Sequence, residues 1–266
     1  MISHPYRIPG REAQGGWRNA NGYTLVEIAV SLAILGLLAA ASTAAYVGTF
    51  TGNRTKLTSD ASLATLSEAV IAFAKTYHRL PCPDLTGTGS EGLVAGVCPP
   101  AAEVGWFPYL SMGLTQPAPI ARALYGVYRA PNANVALDAD LATATEHGGD
   151  SAGSPTYADG ADFMQALQIA ASLAATSGHV YVTGDGSTSG AEICATNIAA
   201  NPAFVILAPG EDRNGNGLTV DGVNSGLLPL PTTSRCFSSP TRALDTGFDD
   251  RSIAIGFYAM MAKLNQ

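Results

Sequence analysis

Between Ile28 and Phe50 the chain carries no charged side chain, an uninterrupted run of 23 residues. As a helix rising about 1.5 Å per residue, the run is roughly 35 Å long, enough to cross the hydrocarbon core of a bilayer. Arginines precede it, which predicts a cytoplasmic N-terminus and export of everything that follows. Beyond the run the pattern becomes one-sided. Leu63, Leu66, Val70, Phe73 and Tyr77 recur at spacings of three and four, while Thr58, Ser59, Asp60 and Glu68 lie mostly off that stripe. No Pro or Gly falls between Arg54 and Tyr77, and Pro81 and Pro83 close the segment. One long helix is expected over residues 23–78, spanning the membrane at about residues 28–50. Its second half should lay the stripe on a globular domain.

After the helix the pattern shortens. Leu124–Arg129, His179–Thr183, Ala203–Ala208 and Ser252–Tyr258 are rich in β-branched and aromatic residues and bounded by Gly, Pro or Asp, which predicts strands. Ala161–Ser177 reads as a second helix with Phe163, Leu167, Ala170 and Ala174 on one face, ended by Gly178. Residues 131–160 lack periodicity and read as a surface insertion. A long helix followed by short strands predicts an α+β fold, with an antiparallel sheet laid on the helix. The expected organisation is a leader at 1–22, the helix at 23–78 and an exported α+β domain at 79–266.

Charge and cysteine refine that picture. The net charge is −7, yet the first 22 residues carry Arg7, Arg11 and Arg18 against Glu12. The leader is thus basic and the remainder acidic. No Lys/Arg cluster interleaved with aromatics follows the apolar run, which argues against a nucleic-acid groove. Four cysteines stand at 82, 98, 194 and 236, none in a CxxC. An even count in an exported domain predicts two disulfides. Of the three connectivities, the most local, Cys82–Cys98 with Cys194–Cys236, is preferred.

One residue does not suit a plain anchor. Glu27 stands at the edge of the apolar run, in Gly22-Tyr23-Thr24-Leu25-Val26-Glu27-Ile28. A desolvated, unpaired carboxylate costs several kcal/mol, so an ionisable group at the membrane boundary points to a function. A basic leader, Gly, an aromatic, Thr-Leu-x-Glu and an apolar stretch together resemble the N-terminus of type IV pilins and type II secretion pseudopilins. The resemblance implies cleavage by prepilin peptidase between Gly22 and Tyr23, methylation of Tyr23, and a role for Glu27 in assembly. Tyr stands where the family usually has Phe. The stretch Leu80-Pro81-Cys82-Pro83-Asp84, Cys98, Gly105-Trp106-Phe107-Pro108 and Met112-Gly113-Leu114 resembles a group of pilin-like proteins in the same order. In that group an Asp-x-Trp-Gly element follows; here Ala123-Leu124-Tyr125-Gly126 lacks the Asp. An ordinary secretory signal cleaved near Ala39–Ala44 is the alternative, but it gives no reason for Glu27.

Other candidate chemistry is sparse. Asp212-Arg213-Asn214-Gly215-Asn216-Gly217 fits the first half of a calcium loop, with Asp221 as a further ligand and Val223 where a bidentate Glu would stand. Asx-rich Gly segments are also ordinary tight turns, and that reading is preferred. Phe248-Asp249-Asp250-Arg251 offers paired carboxylates, expected to accept backbone N–H groups or to pair with Arg251. The histidines at 4, 78, 147 and 179 are scattered, and no nucleophile-elbow, zinc or phosphate-loop motif occurs. The chain is therefore expected to be non-enzymatic: a structural subunit, minor pilin or pseudopilin, in the bacterial inner membrane with its domain in the periplasm or in a filament. Its partners would be other pilin-like subunits and prepilin peptidase, with no cofactor beyond the calcium alternative. A membrane-tethered periplasmic binding domain or enzyme is the competing reading.

Overall fold

The computed structural model describes residues 25–148, 158–187, 190–213 and 215–266; within the first helix, the side chains of residues 40–59 lie outside the description. The chain divides into two compact units, Met1–Arg54 and Thr55–Gln266. The first helix, α1, runs over Leu25–Tyr77, 53 residues without a break. It ends four residues before Pro81. His78 adopts a left-handed backbone (φ 52°) and its N–H closes on the carbonyl of Ala74 at 2.9 Å.

The second unit is built on a four-stranded antiparallel sheet. Its strands are β1 (Val104–Trp106), β2 (Leu124–Val127), β4 (Phe204–Ala208) and β6 (Arg251–Ile255), in the order β1-β2-β4-β6. Two further strands, β3 (Tyr181–Val182) and β5 (Cys236–Phe237), form a separate parallel pair. The remaining helices are α2 (Gly160–Ser172) and α3 (Phe257–Leu264). The mixture of helix and antiparallel sheet is the α+β class.

Helices cover one face of the main sheet. The stripe on α1 buries Leu63, Leu66, Val70 and Phe73, with Ile71 and Ala74 beside them; Tyr77, its last member, is 56% exposed. Leu63, Leu66, Val70, Ile71 and Ala74 share one core with Tyr125, Phe204 and Ile206 of the sheet, Phe163 and Leu167 of α2, and Phe257 and Met260 of α3. Arg251 holds Asp60 through two hydrogen bonds of 2.9 and 3.1 Å, and Lys263 reaches Glu68 at 3.0 Å. These partly exposed pairs fix register more than they stabilise, at about 0–1 kcal/mol each. The other sheet face is covered by the β3–β5 pair. There Phe237 packs with Val180, Val205 and Leu227, and Gly126 lets its ring lie directly on β2, since a Cβ would meet the ring at 2.8 Å.

Several elements differ from the sequence expectation. The second helix stops at Ser172, not Ser177. Asn201 accepts from the N–H of Thr176 and donates to the carbonyls of Thr176 and Val180, which holds residues 173–180 out of the helix. The last strand ends at Ile255, and Gly256 turns the chain into α3, a helix absent from the expectation. Residues 131–160 are not all surface. Asp138–Ala142 are buried, the Leu141 carbonyl accepts from Leu80 N–H at 2.6 Å, and residues 149–157 lie outside the description.

Candidate processing and assembly site

The first described residue of α1 is Leu25, and Glu27 lies in its first turn. A carboxylate there is favoured by the positive end of the helix dipole. Ser31 Oγ donates back to the Glu27 carbonyl at 2.7 Å. Every large apolar side chain from Leu25 to Leu38 is exposed. Such a helix face has no place in water and calls for an apolar surrounding. Gly22 and Tyr23 lie outside the described residues. Among the described residues no helix is long and apolar enough to cross a membrane, and the expected span at 28–50 continues into the undescribed side chains.

The stretch after α1 is rigidly stapled. Cys82 and Cys98 form one disulfide, and Cys194 and Cys236 the other. Arg79 grips Glu91 with two hydrogen bonds of 2.6 and 3.0 Å, and the same carboxylate accepts from Cys82 N–H. Asp84 is fully buried. Its carboxylate accepts from the N–H groups of Thr86, Gly87 and Gly89 and from the Thr86 hydroxyl, so it shapes the loop that follows. Arg129, 2% exposed, pairs with Asp140 at 2.5 Å and donates to the carbonyls of Cys98 and Pro99. Sequence reasoning missed this buried ion pair, because Asp140 lies in the stretch read as an insertion.

The late loop carries Asp212 and Asn216 of the calcium-type residues. Asp212 accepts from the N–H groups of Asn216 and Gly217 at 3.0 and 2.9 Å, and Asn216 Oδ1 accepts from Leu218 N–H. The Asn216 bond, two residues on, is an Asx turn, while Asp212 closes the loop across four and five residues. Asn214 lies outside the described residues. Asp221 is buried elsewhere, grouped with Asp249 and Asp250, their nearest oxygens within 4.8 Å of one another. Asp249 accepts from Glu211 N–H and pairs with Arg213 at 2.8 Å. Gly210 is required beside it, since a Cβ there would overlap the Asp249 carboxylate. Asp250 accepts from the N–H groups of Gly210 and Asp221 and from Asn224 Nδ2, at 3.1, 2.8 and 2.9 Å. Burial pushes its pKa up to about 6, against these hydrogen bonds and with help from the charge of Asp221. The two carboxylates thus hold backbone amides, as one of the two expectations had it. Arg251 is engaged by Asp60 instead.

The N-terminal part of α1 is thus an exposed apolar helix with one carboxylate in its first turn. Residues 17–43 match the family model of the prokaryotic N-terminal methylation motif, and the chain carries the type IV pilin and pseudopilin signature. No curated protein and no solved structure matches the chain.

Proposed function

We propose that this chain is a structural, non-enzymatic subunit, a minor pilin or pseudopilin, of a type IV pilus or type II secretion-like filament. It is inserted in the inner membrane, cut by prepilin peptidase after Gly22 and methylated on Tyr23. It then enters the filament through its N-terminal helix, with the second unit facing the periplasm or the filament exterior. The observation that carries this reading is Glu27 in the first turn of an exposed apolar helix, inside the methylation motif of residues 17–43. In a bundle of such helices the carboxylate is desolvated and needs a cation. The amine freed on Tyr23 of a neighbouring subunit supplies one, and the pair sets axial register as a single polar residue does in a coiled coil. A mature chain of 244 residues is large for a repeating shaft subunit and better fits a rare or tip position.

The test has two arms. Mass spectrometry of the purified chain is expected to find methylated Tyr23 at the mature N-terminus; a start near Ser42 would instead mark a secretory signal. Glu27→Ala is expected to insert in the membrane normally yet be lost from sheared filaments. Wild-type incorporation of that variant would refute the pairing role.

A further inference from the structure

We infer that the outer edge of β6 is a strand-addition site, which takes an extended, uncharged segment of a different filament subunit; the inference rests on the proposed function. Backbone groups alternate sides along a strand, so the direction of each can be followed across the sheet. Val127 N–H donates to Glu103, before β1, which turns Tyr125 and Val127 toward β1 and Leu124 and Gly126 toward β4. Gly126 faces Val205 and Leu124 faces Leu207, so Phe204, Ile206 and Ala208 turn toward β6. Their partners are Ile255, Ile253 and Arg251, and the Ala203 N–H bond to the Ile255 carbonyl agrees with that direction. Ser252 and Ala254 therefore point their N–H and C=O groups away from the sheet. Among the described residues, neither main chain makes a hydrogen bond on that side.

The two edges of the sheet are treated differently. β1 is closed by Asp84, which exchanges both main-chain hydrogen bonds with Trp106 at 2.9 and 2.8 Å. Among the described residues β6 has no such cover; it is partly exposed along its length and carries none of the lysine or proline that usually guards an edge. Its one charge, Arg251, is engaged by Asp60, so the edge offers neutral hydrogen-bonding groups flanked by Ile253 and Ile255. An extended, uncharged, apolar segment matches it.

A second copy of the same edge does not fit. Two β6 strands paired edge to edge are antiparallel, related by a two-fold axis perpendicular to the sheet. The segment of α1 from Leu63 to Ala74 packs on that sheet, so the axis would reverse it in the partner. A filament that its subunits all enter through α1 in one direction, as proposed above, excludes that reversal. The occupant is thus a strand of another subunit in a head-to-tail contact.

Ala254→Pro removes an N–H that points away from β4, at the kind of edge position where a strand tolerates proline. The full-length variant is expected to form both disulfides and enter the membrane, but to fall at least roughly tenfold in the sheared filament fraction, as lost strand addition requires. Ala254→Ser should incorporate normally. Hydrogen exchange on wild type supplies an independent reading: the Ser252 and Ala254 amides should exchange freely in the detergent-solubilised chain and slow by about 100-fold or more in isolated filaments. Exchange that stays fast in filaments, or full incorporation of Ala254→Pro, overturns the strand addition while leaving the filament role standing. Failure of the wild type to enter filaments at all would instead overturn the filament role.

Discussion

At the scale of single residues, Asp250 shows how one buried carboxylate couples stability to pH. Its pKa rises from an ordinary value of 3.8 to about 6 because burial penalises the charge more than its hydrogen-bond donors relieve it. The folded state therefore binds this proton more tightly than the unfolded chain does. The stability it contributes is fully present below pH 3.8 and is lost as pH rises through about 6. The change across that window is on the order of 2–3 kcal/mol. Asp250→Asn cannot titrate, and it replaces one acceptor oxygen by a donor facing N–H groups. It is expected to cost roughly 2 kcal/mol at pH 7 and to flatten the decline between pH 4 and pH 6.5. Urea denaturation of both proteins across that range checks this. Parallel pH profiles for the two proteins would dismiss Asp250 as the source.

At the scale of elements, α1 tests how far a periodic stripe can be trusted. Ile71 is buried and off the five-residue stripe, whereas Tyr77 belongs to the stripe and is half exposed. Ile71→Ala should therefore cost about 2–4 kcal/mol and Tyr77→Ala under about 1 kcal/mol, the latter through its ring contact with Phe73. Thermal melts rank them, and the reverse order would mean that the stripe alone defines the packed face. The sequence made α1, β2 and β4 legible because their apolar periods are long or dense. It hid β5, only two residues long, and it hid α3, whose Phe257 and Met260 share a helical face but sit behind a strand-like run. The end of α2 was illegible because Asn201, far along the chain, decides it. The candidate site divides the same way. Glu27 and its motif are contiguous in sequence and could be read directly. The donors of Asp250 come from residues 26 to 40 positions away, and no local pattern announces them.

At the scale of the whole molecule, the two disulfides make opposite claims on stability. Chain entropy favours the longer loop: separations of 16 and 42 residues restrict the unfolded chain by about 3 and about 4 kcal/mol. Burial favours the shorter one. Cys82 and Cys98 are both buried, and Arg129 leans on the Cys98 sulfur and carbonyl while it pairs with Asp140. Of the other pair only Cys236 is buried. Replacing Cys82 and Cys98 by Ala thus loses the loop constraint, opens a gap in the core and loosens the seat of a buried guanidinium. Each of the last two effects exceeds the entropy difference of about 1 kcal/mol. The Cys82→Ala/Cys98→Ala double variant is expected to lose at least as much stability as Cys194→Ala/Cys236→Ala, although its loop is shorter. Denaturant midpoints of the two variants, measured beside wild type in the same detergent, decide the order. If the first variant stays near wild type while the second loses several kcal/mol, loop entropy dominates and the packing around Arg129 contributes little.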